Sequence, residues 1–217
     1  MTARQPLKLE SPQDPPALSD RAIDNLRFIR ETMERAGSFT AISGRGIAYT
    51  GLIALGAYAV SGNDLGAPRW LSAWITAALL ALITSVVATY RKARLTEAPF
   101  SDALARKLAL AFLPALITGA VITAVALRAG WFVALPGVWL IMYGAAVMAG
   151  GALSTPIVPV MGATFMLLGA VTLGAPVVLA TSWAEPARQA LLNALMALGF
   201  GGFHLLFGVA IARRHGG

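Results

Sequence analysis

The sequence contains no cysteine among its 217 residues and few charges, with Asp, Glu, Lys and Arg making up 12% of the chain. The absence of cysteine excludes disulfide bonds, thiolate metal sites and a cysteine nucleophile. Soluble domains carry about 25% charged residues and about 45–50% apolar residues with glycine included. Here apolar residues reach 57% before the 22 glycines are counted. A soluble globular domain is therefore excluded, and we expect the chain to sit in lipid.

Long apolar stretches recur along the chain. A membrane-spanning helix needs about 20 predominantly apolar residues, because every backbone polar group must bond within the helix. Six stretches meet this requirement and predict an all-α polytopic membrane domain over residues 38–212. The predicted spans are Ser43–Ser61, Trp70–Tyr90, Leu108–Leu127, Trp131–Gly150, Val158–Ala180 and Ala190–Ala212. Short loops after the first, third and fifth spans predict three antiparallel hairpins of transmembrane helices.

The basic residues predict the orientation. Lys and Arg are retained on the cytoplasmic side during insertion. They are concentrated before the first span, between the second and third spans, and in residues 213–217, whereas the alternate loops hold Arg69, Arg128 and Arg188. Both termini are therefore predicted to be cytoplasmic. The formal charge of +7 is explained by topology, so no nucleic-acid partner is expected.

Tryptophan gives a second indication of orientation, because its ring is apolar and its N–H prefers water at the membrane interface. Trp70, Trp74, Trp131 and Trp183 all lie at the ends assigned to the outside. Trp139 lies well inside the fourth span, where a packing role is expected.

The polar N-terminal segment has two predicted parts. Residues 1–18 are rich in proline and have no hydrophobic period, which predicts a disordered cytoplasmic tail. Residues 19–37 predict an amphipathic cytoplasmic helix under the bundle. Its apolar stripe is formed by Ala22, Leu26, Ile29, Met33 and Ala36. We interpret the stripe as a partner-binding surface; the alternative is a helix lying on the protein's own base or on lipid.

Few polar groups lie inside the predicted spans. None contains Asp, Glu, Lys or Arg in its middle, and ion-coupled transporters, proton pumps and voltage sensors normally need such groups. The exception is His204 in the sixth span. Ala197, Gly201 and Gly208 occupy nearly the same helical face, which predicts a helix-packing face, since small residues let another helix approach closely. Asn193 projects from nearly the same face and is a second candidate polar contact.

His204 has several possible roles. It can ligate haem, contact a quinone or a small ligand, or bond to a Thr, a Tyr or a backbone carbonyl of a neighbouring helix. A bis-histidine haem site needs a second histidine, and His215 lies at the cytoplasmic end of the chain. The structural hydrogen bond is the favoured interpretation, and we expect no metal and no bound cofactor.

Six spans with a histidine in the last one resemble the architecture of the rhomboid intramembrane proteases, which implies a possible hydrolytic role. Those enzymes have a Gly-x-Ser-x nucleophile in the fourth span. The corresponding segment here, Tyr143–Val147, has no serine. Because the reaction cannot begin without a nucleophile, we expect no catalytic residue and no enzyme activity.

Two short segments carry a further resemblance. The segments Arg30–Thr40 and Phe203–Gly208, with the Arg213–Arg214 ending, resemble those of small bacterial membrane proteins of unassigned function. The resemblance implies a bacterial cytoplasmic (inner) membrane.

The function predicted is that of a non-catalytic membrane protein. It would act as a subunit or regulatory partner of a membrane complex, or as a homo-oligomer, through residues 22–36 or the glycine-rich face of the sixth span. One alternative is a carrier or channel for a small neutral or apolar solute near His204, and another is a haem- or quinone-contacting redox subunit.

Overall fold

The computed structural model describes residues 23–29, 42–95, 102–152, 154–179 and 183–215. The chain divides into two compact units, Met1–Gly37 and Ser38–Gly217. In the first unit residues 23–29 are helical and include Leu26 and Ile29 of the predicted stripe. The predicted tail at 1–18 and the other stripe residues, Ala22, Met33 and Ala36, lie outside the described residues.

The second unit is built from helices, and the described residues contain no β-strand. Its first five helices are α1 (Gly44–Ser61), α2 (Pro68–Leu95), α3 (Asp102–Ala129), α4 (Leu135–Gly151) and α5 (Ile157–Leu179). A single 3₁₀ turn, Phe132–Ala134, precedes α4. The last helix, α6, is α-helical over Glu185–Met196, π-helical over Ala197–Phe203 and α-helical again over His204–His215.

Helices α2 to α6 are long and apolar enough to cross a membrane. The qualifying stretches are Pro68–Leu95, Ala105–Ala129, Phe132–Gly151, Ile157–Val178 and Glu185–Arg214. The prediction of a helical, multipass membrane protein is thus confirmed, with five such helices among the described residues where the sequence predicted six spans. Helix α1 is the difference, because Arg45 and several glycines dilute its 18 apolar-biased residues.

Helices α1 and α6 run antiparallel with their backbones in contact, because glycines recur every seven residues on both. Gly44 lies against Gly208, and Gly51 lies against Gly201. A Cβ added to Gly208 would lie 2.6 Å from the backbone nitrogen of Ala48 and 2.8 Å from the carbonyl oxygen of Gly44. A side chain at these positions would force the two helices apart.

Helices α4 and α5 form the most extensive contact between described helices. A Cβ added to either Gly144 or Gly162 would lie 2.7 Å from the carbonyl oxygen of the other. Gly137, Gly151 and Gly169 extend the same close contact at seven-residue steps along the two helices. The α4–α5 pair is therefore packed backbone against backbone along its length.

The remaining contacts differ from a simple series of hairpins. α1 packs on α2, and α3 packs on α4. The expected third hairpin is the weakest of the three, since α6 packs mainly on α1 and α5 packs mainly on α4. The glycine positions explain this partner choice, because they leave room for close approach between those pairs.

We predict that Gly208→Ala destabilises the protein whereas Gly56→Ala does not. The added methyl at position 208 meets backbone atoms, but a Cβ at Gly56 has nothing within 4 Å. Overpacking of this kind costs about 1–3 kcal/mol. The thermal unfolding midpoint of the detergent-solubilised protein should therefore fall for Gly208→Ala alone. Equal midpoints for the two variants would contradict the close α1–α6 contact.

Candidate functional site

Asn193 lies fully buried in the first α-helical part of α6 and makes hydrogen bonds to two other helices. Its Oδ1 accepts from the indole Nε1 of Trp70 at 2.9 Å and of Trp74 at 3.1 Å. Its Nδ2 donates to the carbonyl oxygen of Gly62 at 2.8 Å and to Oδ1 of Asn63 at 3.1 Å. One amide therefore joins the end of α1, the start of α2 and α6.

The indoles also define the orientation of this amide. An indole N–H only donates, so the atom that both tryptophans face must be the amide oxygen. The amide nitrogen is then directed at the turn after α1, where Ser61 Oγ is a further acceptor at 3.3 Å. Gln189, one helical turn earlier, holds the same turn by accepting from the backbone nitrogen of Leu65 at 2.9 Å.

Trp70 and Trp74 correct an expectation from the sequence. Both lie in the first two turns of α2, but they are only 0% and 4% exposed, and their indole N–H groups bond to Asn193 instead of interfacial water. Trp131 and Trp183 are exposed. The general preference of tryptophan for the membrane interface does not hold for Trp70 and Trp74. Their four-residue spacing places both rings on one face of α2, where both N–H groups reach the same buried acceptor.

The aromatic contacts extend this cluster to α3 and α4. Trp70 stacks on Trp139 of α4 with ring centroids 5.4 Å apart. The Nε1 of Trp139 donates to Oγ1 of Thr123 in α3 at 2.7 Å, and that hydroxyl donates to the carbonyl oxygen of Gly119. Trp139 thus has the packing role expected for it, and it links α3 to the Asn193 cluster.

His204 is buried in a second cluster. Its Nδ1 lies 2.8 Å from the carbonyl oxygen of Phe200, and its Nε2 lies 2.6 Å from the hydroxyl of Tyr143 in α4. Because a carbonyl only accepts, we assign the ring proton to Nδ1, which makes Nε2 the acceptor and Tyr143 the donor. The Phe165 ring of α5 packs edge-on against the imidazole with centroids 5.2 Å apart.

Asn193 and His204 do not form one site, although the sequence places them near one helical face. Asn193 contacts α1 and α2, whereas His204 contacts α4 and α5. The π-helical segment between them explains the difference, because its wider turns rotate the second half of α6 relative to the first. The link between the clusters is indirect: Phe200 packs on Trp74 and on His204.

The predicted helix-packing residues contact a helix of the same chain. Gly201 and Gly208 lie against α1, as described above, and Ala197 is 7% exposed within the π-helical segment. Sequence reasoning missed Tyr143 as the partner of His204 and the paired tryptophans as partners of Asn193. The position of Tyr143 inside a largely apolar predicted span was the available signal for the first.

The polar side-chain atoms of both clusters are bonded within the protein. Within the described ranges, no buried side-chain nitrogen or oxygen lacks a hydrogen-bond partner. In the same part of the chain, no three His, Asp or Glu side chains converge as metal ligands would. An apolar groove lies on the outside of the bundle, between α3 and α4. The polar residues therefore act as ties between helices in this structure.

These features define a class of protein: a helical membrane protein whose helices are held together by glycine contacts and by two buried polar clusters. Comparison with protein-family models, with curated proteins and with solved structures gives no match to this chain.

We predict that Asn193→Leu destabilises the protein by about 1–3 kcal/mol, because two buried indole N–H groups lose their acceptor. The same exchange at exposed Asn25 is the matched control and should leave the unfolding midpoint unchanged. Thermal unfolding in detergent measures both. Unchanged stability in Asn193→Leu would show that the amide is not the tie described here.

Proposed function

We propose that this protein is a non-catalytic integral membrane protein that acts as a subunit or regulatory partner of a membrane complex. The hydrogen bonding of the interior carries this proposal: the described buried polar side-chain atoms all have partners within the protein. Side chains that bond to neighbouring helices stabilise the fold. We therefore assign the function to surfaces outside the bundle.

The proposal includes six membrane spans, with α1 as the first. α1 follows α6 from the Gly44–Gly208 contact at one end to the Ser61–Asn193 contact at the other. A helix of 18 residues is about 27 Å long at 1.5 Å per residue, close to the hydrocarbon thickness of about 30 Å. Because α6 qualifies as a span, a helix antiparallel to it over this length crosses the same layer. The hydropathy of α1 is modest, but one face of α1 is buried against α6 and does not need to be apolar enough to contact lipid.

The charge distribution favours a cytoplasmic position for both termini. Lys92 Nζ donates to the carbonyl oxygen of Ile42 at 3.1 Å, which brings the end of α2 to the start of α1. The end of α6 lies there as well. This end of the bundle carries six basic residues: Arg45, Arg91, Lys92, Arg94, Arg213 and Arg214. The opposite end carries three, Arg69, Arg128 and Arg188, together with the acidic residues Asp64 and Glu185. By the positive-inside rule the basic end faces the cytoplasm, and we propose the bacterial inner membrane as the location.

One of the two candidate partner surfaces is withdrawn. The glycine-rich face of α6 is covered by α1, so it is not open to another protein. The apolar stripe of residues 22–36 remains, and we propose that it docks on a cytoplasmic protein. The opposite face of this predicted helix mixes Arg and Glu, whereas helices that bind anionic lipid are usually basic on their polar face.

The alternative functions need changes at the two polar clusters. A carrier needs a polar path past Asn193 or His204, whose polar atoms are bonded within the protein. Ligation of haem through Nε2 of His204 would displace the hydroxyl of Tyr143. Neither function has a specific structural feature in its favour.

We predict that labelling of single-cysteine variants will show that α1 crosses the membrane. The chain has no native cysteine, so each variant carries one label site. Thr2→Cys and Arg214→Cys should react with a membrane-impermeant maleimide from the cytoplasmic side of inverted vesicles. Asp64→Cys should react from the other side only. Labelling of positions 2 and 64 from the same side would refute the six-span topology.

We predict that Leu26→Glu combined with Ile29→Glu abolishes co-purification of a stoichiometric partner from the native membrane. Charge on the stripe should disrupt an apolar contact while leaving the bundle intact. Phe28→Glu is the matched control, because it adds a carboxylate within the same segment but off the stripe. Mass spectrometry of the purified complexes measures the outcome. Retention of the partner by the stripe variant would exclude this docking surface.

A further inference from the structure

An apolar groove opens on the side of the α3–α4 hairpin. Its volume is about 320 Å³. Ala126 and Leu135 form its floor and are 2% and 0% exposed, whereas Val121 and Val125 on its rim are more than half exposed. The other lining residues are Ile122, Trp131, Ala134 and Val138. The groove is therefore a recess in the outer surface of the bundle, and its open side faces away from the bundle interior.

The small side chains of the hairpin create this recess. The Trp139–Thr123 hydrogen bond and the Gly119–Met142 contact close α3 onto α4 beside it. Valine and alanine line much of the groove, and these side chains are too short to fill the remaining space. Ligand sites in proteins measure about 300–1,000 Å³, so the groove is at the lower end of that range. Its wholly apolar lining suits a hydrocarbon chain.

A cation follows the groove about one helical turn further along α3. Val121, Val125 and Arg128 follow one another at steps of four and three, which places them on one face of α3. Arg128 ends the apolar part of α3, is exposed, and makes no ion pair or hydrogen bond with the described residues. Trp131, 62% exposed, stands beside it at the turn. Guanidinium groups bind phosphate strongly through paired hydrogen bonds, and exposed tryptophan is typical of the headgroup level.

We propose that this groove binds one acyl chain of an anionic phospholipid whose phosphate contacts Arg128. The hydrocarbon recess and the cation beyond it match the two parts of such a lipid. A zwitterionic lipid fits the recess equally well but leaves the headgroup with less net attraction to Arg128. The groove is lined by neither Asn193 nor His204, and the proposal uses no residue of the 22–36 stripe, so it does not depend on the proposed partner contact.

The test uses native mass spectrometry of the full-length protein in detergent, titrated with phosphatidylglycerol or with phosphatidylcholine. We expect one tightly retained phosphatidylglycerol in the wild type. Val125→Trp, which fills the groove, should weaken its binding about tenfold or more. Arg128→Gln should lower the affinity for phosphatidylglycerol to that for phosphatidylcholine.

Matched controls separate the site from general contact with lipid. Val177→Trp repeats the first exchange at a residue that is 80% exposed on α5, and Arg106→Gln removes a cation from the opposite end of α3. Both should bind lipid as the wild type does. If Val125→Trp is not monodisperse, Ala134→Leu replaces it with the same expected loss.

Three results would overturn the proposal. The first is retention of phosphatidylglycerol by both groove variants, and the second is equal affinity of the wild type for the two lipids. The third is a wild-type dimer that becomes monomeric in the groove variants with unchanged lipid binding, because a second copy of the chain would then occupy the groove.

Discussion

A buried amide in a membrane protein has no water to bond with, so it needs hydrogen-bond partners within the protein. The packing of this bundle depends on how Asn193 obtains those partners. Its oxygen accepts from two tryptophans of α2, and its nitrogen donates to the turn that follows α1. Each of these groups would be costly to bury without a partner. The two tryptophans that bond to Asn193 belong to the hydrophobic core that also includes Leu65, Leu135 and Met196.

Glycine provides the complementary contact at the other end of the same helices. Gly44 and Gly208 remove the side chains that would separate α1 from α6, so carbonyl and amide groups of the two backbones meet directly. Association in lipid gains little from the hydrophobic effect and depends on close packing and hydrogen bonds. α1, the one of the six helices that does not qualify as a span by length and hydropathy, is held by both.

The π-helical segment decides where His204 points. A regular α-helix would place residues 193 and 204 on nearly one face, and a polar site shared by the two would then be a reasonable expectation. With the segment Ala197–Phe203 in between, the His204 side chain instead points to α4 and α5, where Tyr143 and Phe165 contact the imidazole. The two polar side chains therefore tie different pairs of helices together.

The sequence by itself determined the helical class, the membrane environment and the approximate bounds of the helices, because length and hydropathy are local properties of each segment. It also identified Asn193 and His204, since a polar side chain in an apolar span is visible in the sequence. The partners of those residues, the burial of Trp70 and Trp74, and the choice of α1 by α6 were decided only by the tertiary structure. Those features depend on which helices approach each other and on the rotation introduced by the π-helical turns, and neither is encoded by the period of a single helix.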